Sequence, residues 1–137
     1  DALHLVPKIC VLGVGCKRGT SAEHIEATFK QFCKETGFAP QSICACASID
    51  LKKDEPGLLE FCQNHGFNIH FYTAEELKKT SGEFTSSSFV QQITGVDNVC
   101  ARAAVLASGG ELVIEKHIYS DVTFAVAAKP FTPDWSV

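Results

Sequence analysis

The sequence predicts a single α/β domain over residues 1–137, built as a three-layer sandwich. Its mixed, mostly parallel sheet is expected to have about five strands, with helices on both faces. Segments typical of strands alternate with segments typical of helices, and the first strand-like segment (8–14) is almost continuously apolar, as in a strand buried on both faces. The last two strand-like segments are separated by only four residues, which indicates an antiparallel hairpin.

Capping residues predict where the helices begin. Thr20 or Ser21 would cap the first helix, and Asp54 would cap the second. Thr73 with Glu76 forms the pattern of a capping box before a short third helix. The remaining predictions are, in chain order, helix 22–36, strand 42–49, a helix ending at Gly66, strand 68–72, a polar loop 80–88, a helix from Asp97 or Asn98 to Leu106, and strands 111–117 and 122–128.

Composition excludes several classes of function. The net charge of -4 argues against broad binding to nucleic acid or to an anionic membrane, and no apolar stretch is long enough to span a bilayer. Seven cysteines without a C-x-x-C pair favour a reduced, cytoplasmic protein, and the histidines lack the spacing of metal ligands. Because the chain opens on Asp1 and has no methionine, we expect a domain excised from a longer multidomain protein.

A glycine-containing loop joins the first strand to the first helix. Its sequence is Gly13-Val14-Gly15-Cys16-Lys17-Arg18-Gly19-Thr20-Ser21. Free N–H groups and the helix dipole attract anions at such a junction. The glycine spacing fits neither the dinucleotide fingerprint nor the phosphate loop, although a generic nucleotide-binding loop stays open as an alternative. The other alternative is a tight turn in which Lys17 and Arg18 are simply solvated.

A second polar junction, residues 48–55, follows the second strand. Its Lys52 and Lys53 would share a sheet edge with Lys17 and Arg18, because loops at the carboxyl ends of parallel strands line one crevice. Neutralisation of these lysines by acidic neighbours in the same junction is the alternative. The polar loop with Ser87 and Ser88 is a candidate to close over the crevice.

Cys16 is a separate candidate for chemistry. Its neighbours Lys17 and Arg18 and the following helix N-terminus are conditions that lower the pKa of a thiol. A nucleophilic role is conceivable, but no histidine stands nearby in the sequence. The alternative is a small apolar residue in the core.

Several segments, taken in order, resemble the C-terminal domain of the cobalamin-biosynthesis protein CbiG and its stand-alone relative CobE. They are the glycine loop above, Ala47-Ser48-Ile49-Asp50-Leu51-Lys52-Lys53-Asp54-Glu55-Pro56-Gly57-Leu58, Phe71-Tyr72-Thr73-Ala74-Glu75-Glu76-Leu77, Ser87-Ser88-Phe89-Val90, Thr94-Gly95-Val96-Asp97-Asn98-Val99-Cys100 and Val122-Thr123-Phe124-Ala125-Val126-Ala127. The resemblance covers about residues 8–129. One departure is Ala101, where many members of the family have glutamate.

The resemblance implies a domain of a cobalt-precorrin-5A hydrolase, which opens a lactone ring and releases acetaldehyde. The substrate would be a polycarboxylate corrinoid that carries its own cobalt, so no protein-bound cofactor is expected. Partners would be further domains of the polypeptide and other corrin-pathway enzymes, and a non-catalytic corrinoid-binding or carrier module is the alternative. Asp50 and Glu55 are the candidate catalytic residues. The candidate substrate-binding residues are Gly15, Cys16, Lys17, Arg18, Gly19, Thr20, Ser21, Ser48, Asp50, Lys52, Ser87 and Ser88.

Overall fold

A computed structural model of the chain describes residues 9–79 and 99–129, apart from the side chain of Leu51. The strands in these ranges are β1 (Cys10–Cys16), β2 (Ile43–Ile49), β3 (Asn68–Tyr72), β4 (Glu111–Tyr119) and β5 (Val122–Ala128). The α-helices are α1 (Ala22–Thr36), α2 (Pro56–His65), α3 (Ala74–Lys78) and α4 (Val99–Ser108). Short 3-10 helices at Pro40–Ser42 and Asp50–Lys52 flank β2. No helix in the described part of the chain is long and apolar enough to cross a membrane.

The five strands form one mixed sheet in the order β3-β2-β1-β5-β4. β1 pairs in parallel with β2, and β2 with β3, whereas β5 pairs antiparallel with both β1 and β4. The predicted α/β class and mixed sheet are therefore confirmed. The pairings divide evenly between parallel and antiparallel, because the predicted hairpin puts β5 antiparallel beside the central strand. The turn of the β4–β5 hairpin consists of Ser120 and Asp121, and Asp121 adopts a positive φ of 68°.

Helices cover both faces of the sheet, as the sequence predicts. On one face, α1 and α2 bury aromatic side chains such as Phe29 and Phe61 against Leu12 and Val14 of β1. On the other face, α3 and α4 pack against the sheet, and the contribution of α4 consists largely of alanine. Small side chains let α4 approach closely: a Cβ built on Gly13 would lie 1.8 Å from the carbonyl oxygen of Cys100.

The helix caps follow local sequence signals, with one correction. Ser21 Oγ accepts a hydrogen bond from the His24 N–H at 3.1 Å, and Thr73 and Glu76 complete the predicted capping box. The prediction that Asp54 caps α2 is wrong, because Glu55 occupies the N-cap position and its side chain makes no cap hydrogen bond. The predictions for residues 80–98 lie outside the described residues.

We expect Gly13→Ala to lower the free energy of unfolding by about 3 kcal/mol, the upper end of the cost of overpacking a core. The added Cβ would collide with the backbone of α4, which cannot move without disturbing its contacts with all five strands of the sheet. Urea unfolding followed by far-UV circular dichroism measures the effect. Gly66→Ala is the control, because its Cβ would meet nothing within 4 Å. The only expected cost is the strain of a left-handed φ of 71°, which lowers the free energy of unfolding by about 1 kcal/mol. Equal losses in both variants would contradict the packing argument.

Candidate functional site

The candidate site forms where β1 and β2 end. Their pairing extends only to Gly13 and Ala47, although both strands continue beyond these residues. Past that point the Ser48 hydroxyl donates to the carbonyl oxygen of Val14 at 2.7 Å, so a side chain replaces the backbone ladder. Ser48 is fully buried, and its hydroxyl therefore links the ends of the two strands.

The β1–α1 loop, residues 17–20 and called the first loop below, is anchored on two opposite sides. On one side, the Lys17 N–H donates to the carbonyl oxygen of Asp121 at 2.9 Å, and Lys17 Nζ lies 3.2 Å from Asp121 Oδ1. On the other side, the Gly19 N–H donates to Glu55 Oε2 at 3.1 Å. Between these anchors the Thr20 hydroxyl and N–H both donate to the carbonyl oxygen of Lys17. The first loop is thus a tight turn that uses much of its own hydrogen-bonding capacity.

Glu55 is a buried acidic side chain at this junction, with 8% of its surface exposed. It lies at the start of α2 and reaches back to the first loop. Gly57 brings the two loops still closer, because a Cβ built on it would lie 2.0 Å from the carbonyl oxygen of Thr20. The second polar junction therefore meets the first one, as the parallel order of β1 and β2 predicts.

The four cations of the two junctions have different surroundings. Lys17 is exposed and pairs with Asp121, on the side of the first loop away from Glu55. Arg18 is exposed and makes no hydrogen bond or ion pair with another residue in the described ranges. Lys53 is exposed as well, whereas Lys52 is half-buried. The cations are thus spread along the edge of the sheet, with Lys17 drawn towards the hairpin turn.

Cys16 lies beneath this edge and faces the core between β1 and the helices α1 and α2. Burial raises the pKa of its thiol to about 11, and the nearby charge of Lys52 opposes that rise only in part, while Glu55 adds to it. The sequence-based expectation of a lowered pKa is therefore wrong, because burial outweighs the charge of Lys52. A raised pKa means that little thiolate forms at neutral pH, which argues against a nucleophilic role for Cys16.

A shallow cavity of about 290 Å³ opens between the starts of α1 and α2. It is lined by Gly19, Thr20, Ser21, Ala22, Glu23, Glu55, Pro56, Gly57 and Glu60. Three of these residues are glutamates, and none is cationic. The cations predicted to bind anions thus do not line the cavity itself. Its volume is at the lower end of the range of small-molecule sites.

The remaining candidates are placed as follows. Gly15 lies on β1 against β5, where a Cβ would come within 2.6 Å of Thr123 Oγ1. Asp50 is half-buried in the 3-10 helix after β2, and its carboxylate makes no hydrogen bond or ion pair with another described residue. Ser87 and Ser88 lie outside the described residues. Among those described, no group of three or more His, Cys, Asp or Glu side chains is arranged to hold a metal ion.

Ala101 is fully buried near the start of α4. It belongs to a small apolar cluster with Cys100 and Ala125, against which Leu112 packs. In this chain the position therefore contributes packing between α4 and the antiparallel strands.

Comparisons with known proteins agree with this architecture. The family model described as "Cobalamin synthesis G C-terminus" matches residues 10–127. Cobalt-precorrin-5A hydrolase of Priestia megaterium is 38% identical over 126 residues, which cover 91% of this chain and 33% of that protein. Protein CobE of a Sinorhizobium species is 32% identical over 120 residues, which cover 85% of this chain and 78% of that protein. The chain therefore spans about a third of the hydrolase and most of CobE.

A solved structure gives the same result in three dimensions. The crystal structure of CobE, a protein from the cobalamin (vitamin B12) biosynthetic pathway, superposes with a TM-score of 0.79 at 30% identity. The superposition covers 92% of this chain and 94% of CobE. The family match includes nearly every described element, from the start of β1 to within one residue of the end of β5. The chain belongs to the cobalamin synthesis G C-terminus family, as its sequence motifs indicate.

Proposed function

We propose that this chain is the corrinoid-binding domain of a cobalt-precorrin-5A hydrolase of cobalamin biosynthesis. The complete enzyme would open the lactone ring of its substrate and release acetaldehyde. Membership of the family and 38% identity to such a hydrolase support this proposal. Because the chain matches only a third of that relative, the hydrolytic activity is assigned to the whole polypeptide.

The observation that carries the proposal is the joining of two cation-bearing loops at one edge of the sheet through the Gly19–Glu55 hydrogen bond. A corrinoid intermediate is a large flat ring fringed with acetate and propionate carboxylates. Arg18 and Lys52 flank this bond in the sequence and offer charge-assisted hydrogen bonds to such groups. The net charge of the chain is -4, so this attraction is local to the site.

The geometry favours recognition by side chains rather than by loop amides. The N–H groups of Gly19 and Thr20 already have partners within the protein. The acidic cavity of about 290 Å³ is too small to enclose a corrin ring and has the wrong charge for its carboxylates. We therefore propose that the ring lies across the open edge of the sheet, with its carboxylates directed to the loop cations.

Opening the lactone requires a base that activates water and a donor that stabilises the oxyanion. Of the two candidate bases, Asp50 fits better, because it is half-buried and makes no hydrogen bond or ion pair to other described residues. Lys52, two residues further on, is a candidate oxyanion donor. Cobalt would enter as part of the substrate and would need no protein ligand.

A non-catalytic corrinoid carrier is the second candidate. It is favoured by the match to CobE, since this chain spans 78% of that protein but only a third of the hydrolase. A carrier would use the same loop cations and would not need Asp50 as a base.

We expect the double variant Arg18→Ala/Lys52→Ala to bind a cobalt corrinoid polycarboxylate about tenfold more weakly, since ion pairs near the protein surface each contribute up to about 1 kcal/mol. Titration of the purified chain, followed by the visible absorbance of the corrinoid, measures the dissociation constant. Lys30→Ala/Lys34→Ala is the matched control, because it removes two exposed cations from α1 and changes the net charge equally. Equal weakening in both double variants would contradict a role for the loop cations.

We expect Asp50→Asn in the complete multidomain protein to slow acetaldehyde release by about 100-fold, the usual minimum contribution of a general base, with corrinoid affinity unchanged. Asp54→Asn is the matched control, because Asp54 is an exposed carboxylate of the same junction. Single-turnover assays of acetaldehyde measure the rate. Full activity of Asp50→Asn would contradict this assignment, and full activity of a protein lacking this domain would favour the carrier.

A further inference from the structure

We propose that Glu55 is a positioning residue that holds the first loop in the shape that presents Arg18. Its carboxylate accepts the hydrogen bond of the Gly19 N–H, which would otherwise be available to a carboxylate of the substrate. The loop-holding role stands on the structure of this chain alone. Its consequence for corrinoid binding rests on the proposed function.

The contact of Glu55 with the first loop is long-range and partly buried. Glu55 Oε2 accepts the Gly19 N–H at 3.1 Å across a separation of 36 residues. Only 8% of the surface of Glu55 is exposed, so water has little access to its carboxylate, whereas Gly19 itself is exposed. Although Glu55 occupies the N-cap of α2, its side chain caps no amide of that helix. Its side chain therefore stabilises another segment rather than its own helix.

Gly19, the residue that Glu55 holds, determines the shape of the first loop. Gly19 has a φ of 82°, in the left-handed region, and glycine adopts many other conformations as easily. A hydrogen bond to its amide selects this one conformation. At the other end of the loop, Lys17 is fixed by Asp121. Arg18 lies between the two anchors, so the direction in which it projects depends on both.

The same contact argues against Glu55 as the general base. A base must place a free carboxylate oxygen within reach of the attacking water. Here one oxygen is engaged by Gly19 and the residue is nearly buried, whereas Asp50 is half-buried without such a bond. A glutamine at position 55 would keep an oxygen acceptor for Gly19 but could not take up a proton at neutral pH. An aspartate would keep the charge but would be too short to reach.

Three variants separate these roles: Glu55→Gln, Glu55→Asp and, as a control, Glu60→Gln, which changes another glutamate of the cavity. The first readout is hydrogen exchange of the Gly19 amide, measured by ¹⁵N–¹H NMR on the chain without ligand. We expect Glu55→Asp to speed exchange by about tenfold or more because the protecting hydrogen bond is lost, and Glu55→Gln and Glu60→Gln to leave it close to wild type. Unchanged exchange in Glu55→Asp would overturn the loop-holding role.

The second readout is activity and binding in the complete hydrolase. We expect Glu55→Gln to keep its turnover within about threefold of wild type, and Glu55→Asp to bind the cobalt corrinoid about tenfold more weakly, a change of 1.4 kcal/mol. Loss of turnover in Glu55→Gln at unchanged affinity would overturn the proposal and make Glu55 the base. If the wild type binds no corrinoid, the proposed function fails, while the Gly19 exchange still decides whether Glu55 holds the loop.

Discussion

The structure depends on β1, which is hydrogen-bonded along both of its edges and covered on both of its faces. It pairs with β2 on one side and β5 on the other, so it joins the parallel half of the sheet to the antiparallel half. Its alternate residues serve two separate cores, with Leu12 and Val14 in one and Val11 in the other. The candidate site lies at its carboxyl end and therefore rests on the most constrained strand of the sheet.

At this end of β1, two carboxylates contact the two ends of the first loop, and the cations of the loop lie between them. Asp121 and Glu55 hold opposite sides of the first loop, while Arg18 stays exposed between them. The acidic anchors lower the net charge of the site but fix the backbone that carries the cations. A loop held in this way loses little conformational entropy when a ligand binds, which is a gain for affinity that cation number alone does not supply.

Local signals in the sequence predicted much of the fold. The capping box at Thr73 and Glu76 and the hairpin between β4 and β5 each depend on a few neighbouring residues, and both were predicted correctly. Ser21, which caps α1, is one of the two residues that the sequence suggests for that position. The sequence also predicted that the two polar junctions meet, because this requires only that β1 and β2 pair in parallel.

The parts of the site that the sequence did not predict arise from long-range packing. The pKa of Cys16 depends on how deeply α1 and α2 bury it, which no pattern around Cys16 encodes. The sequence suggested Asp54 as a cap because aspartate is favoured at that position. Glu55 occupies the position instead, and its side chain accepts a hydrogen bond from Gly19, 36 residues away. The contact of Lys17 with Asp121 likewise requires the hairpin to lie beside β1.

The hairpin turn at Ser120 and Asp121 has a consequence for how this domain tolerates change. Tips of hairpins are usually the places where proteins accept insertions and cleavage, since few contacts hold them. Here the tip is attached: Asp121 binds Lys17 through backbone and side chain, and the carbonyl of Ser120 lies within hydrogen-bond distance of His24. Lengthening this turn would release one side of the first loop. Variation in loop length should therefore be restricted at this tip, far along the chain from the residues it supports.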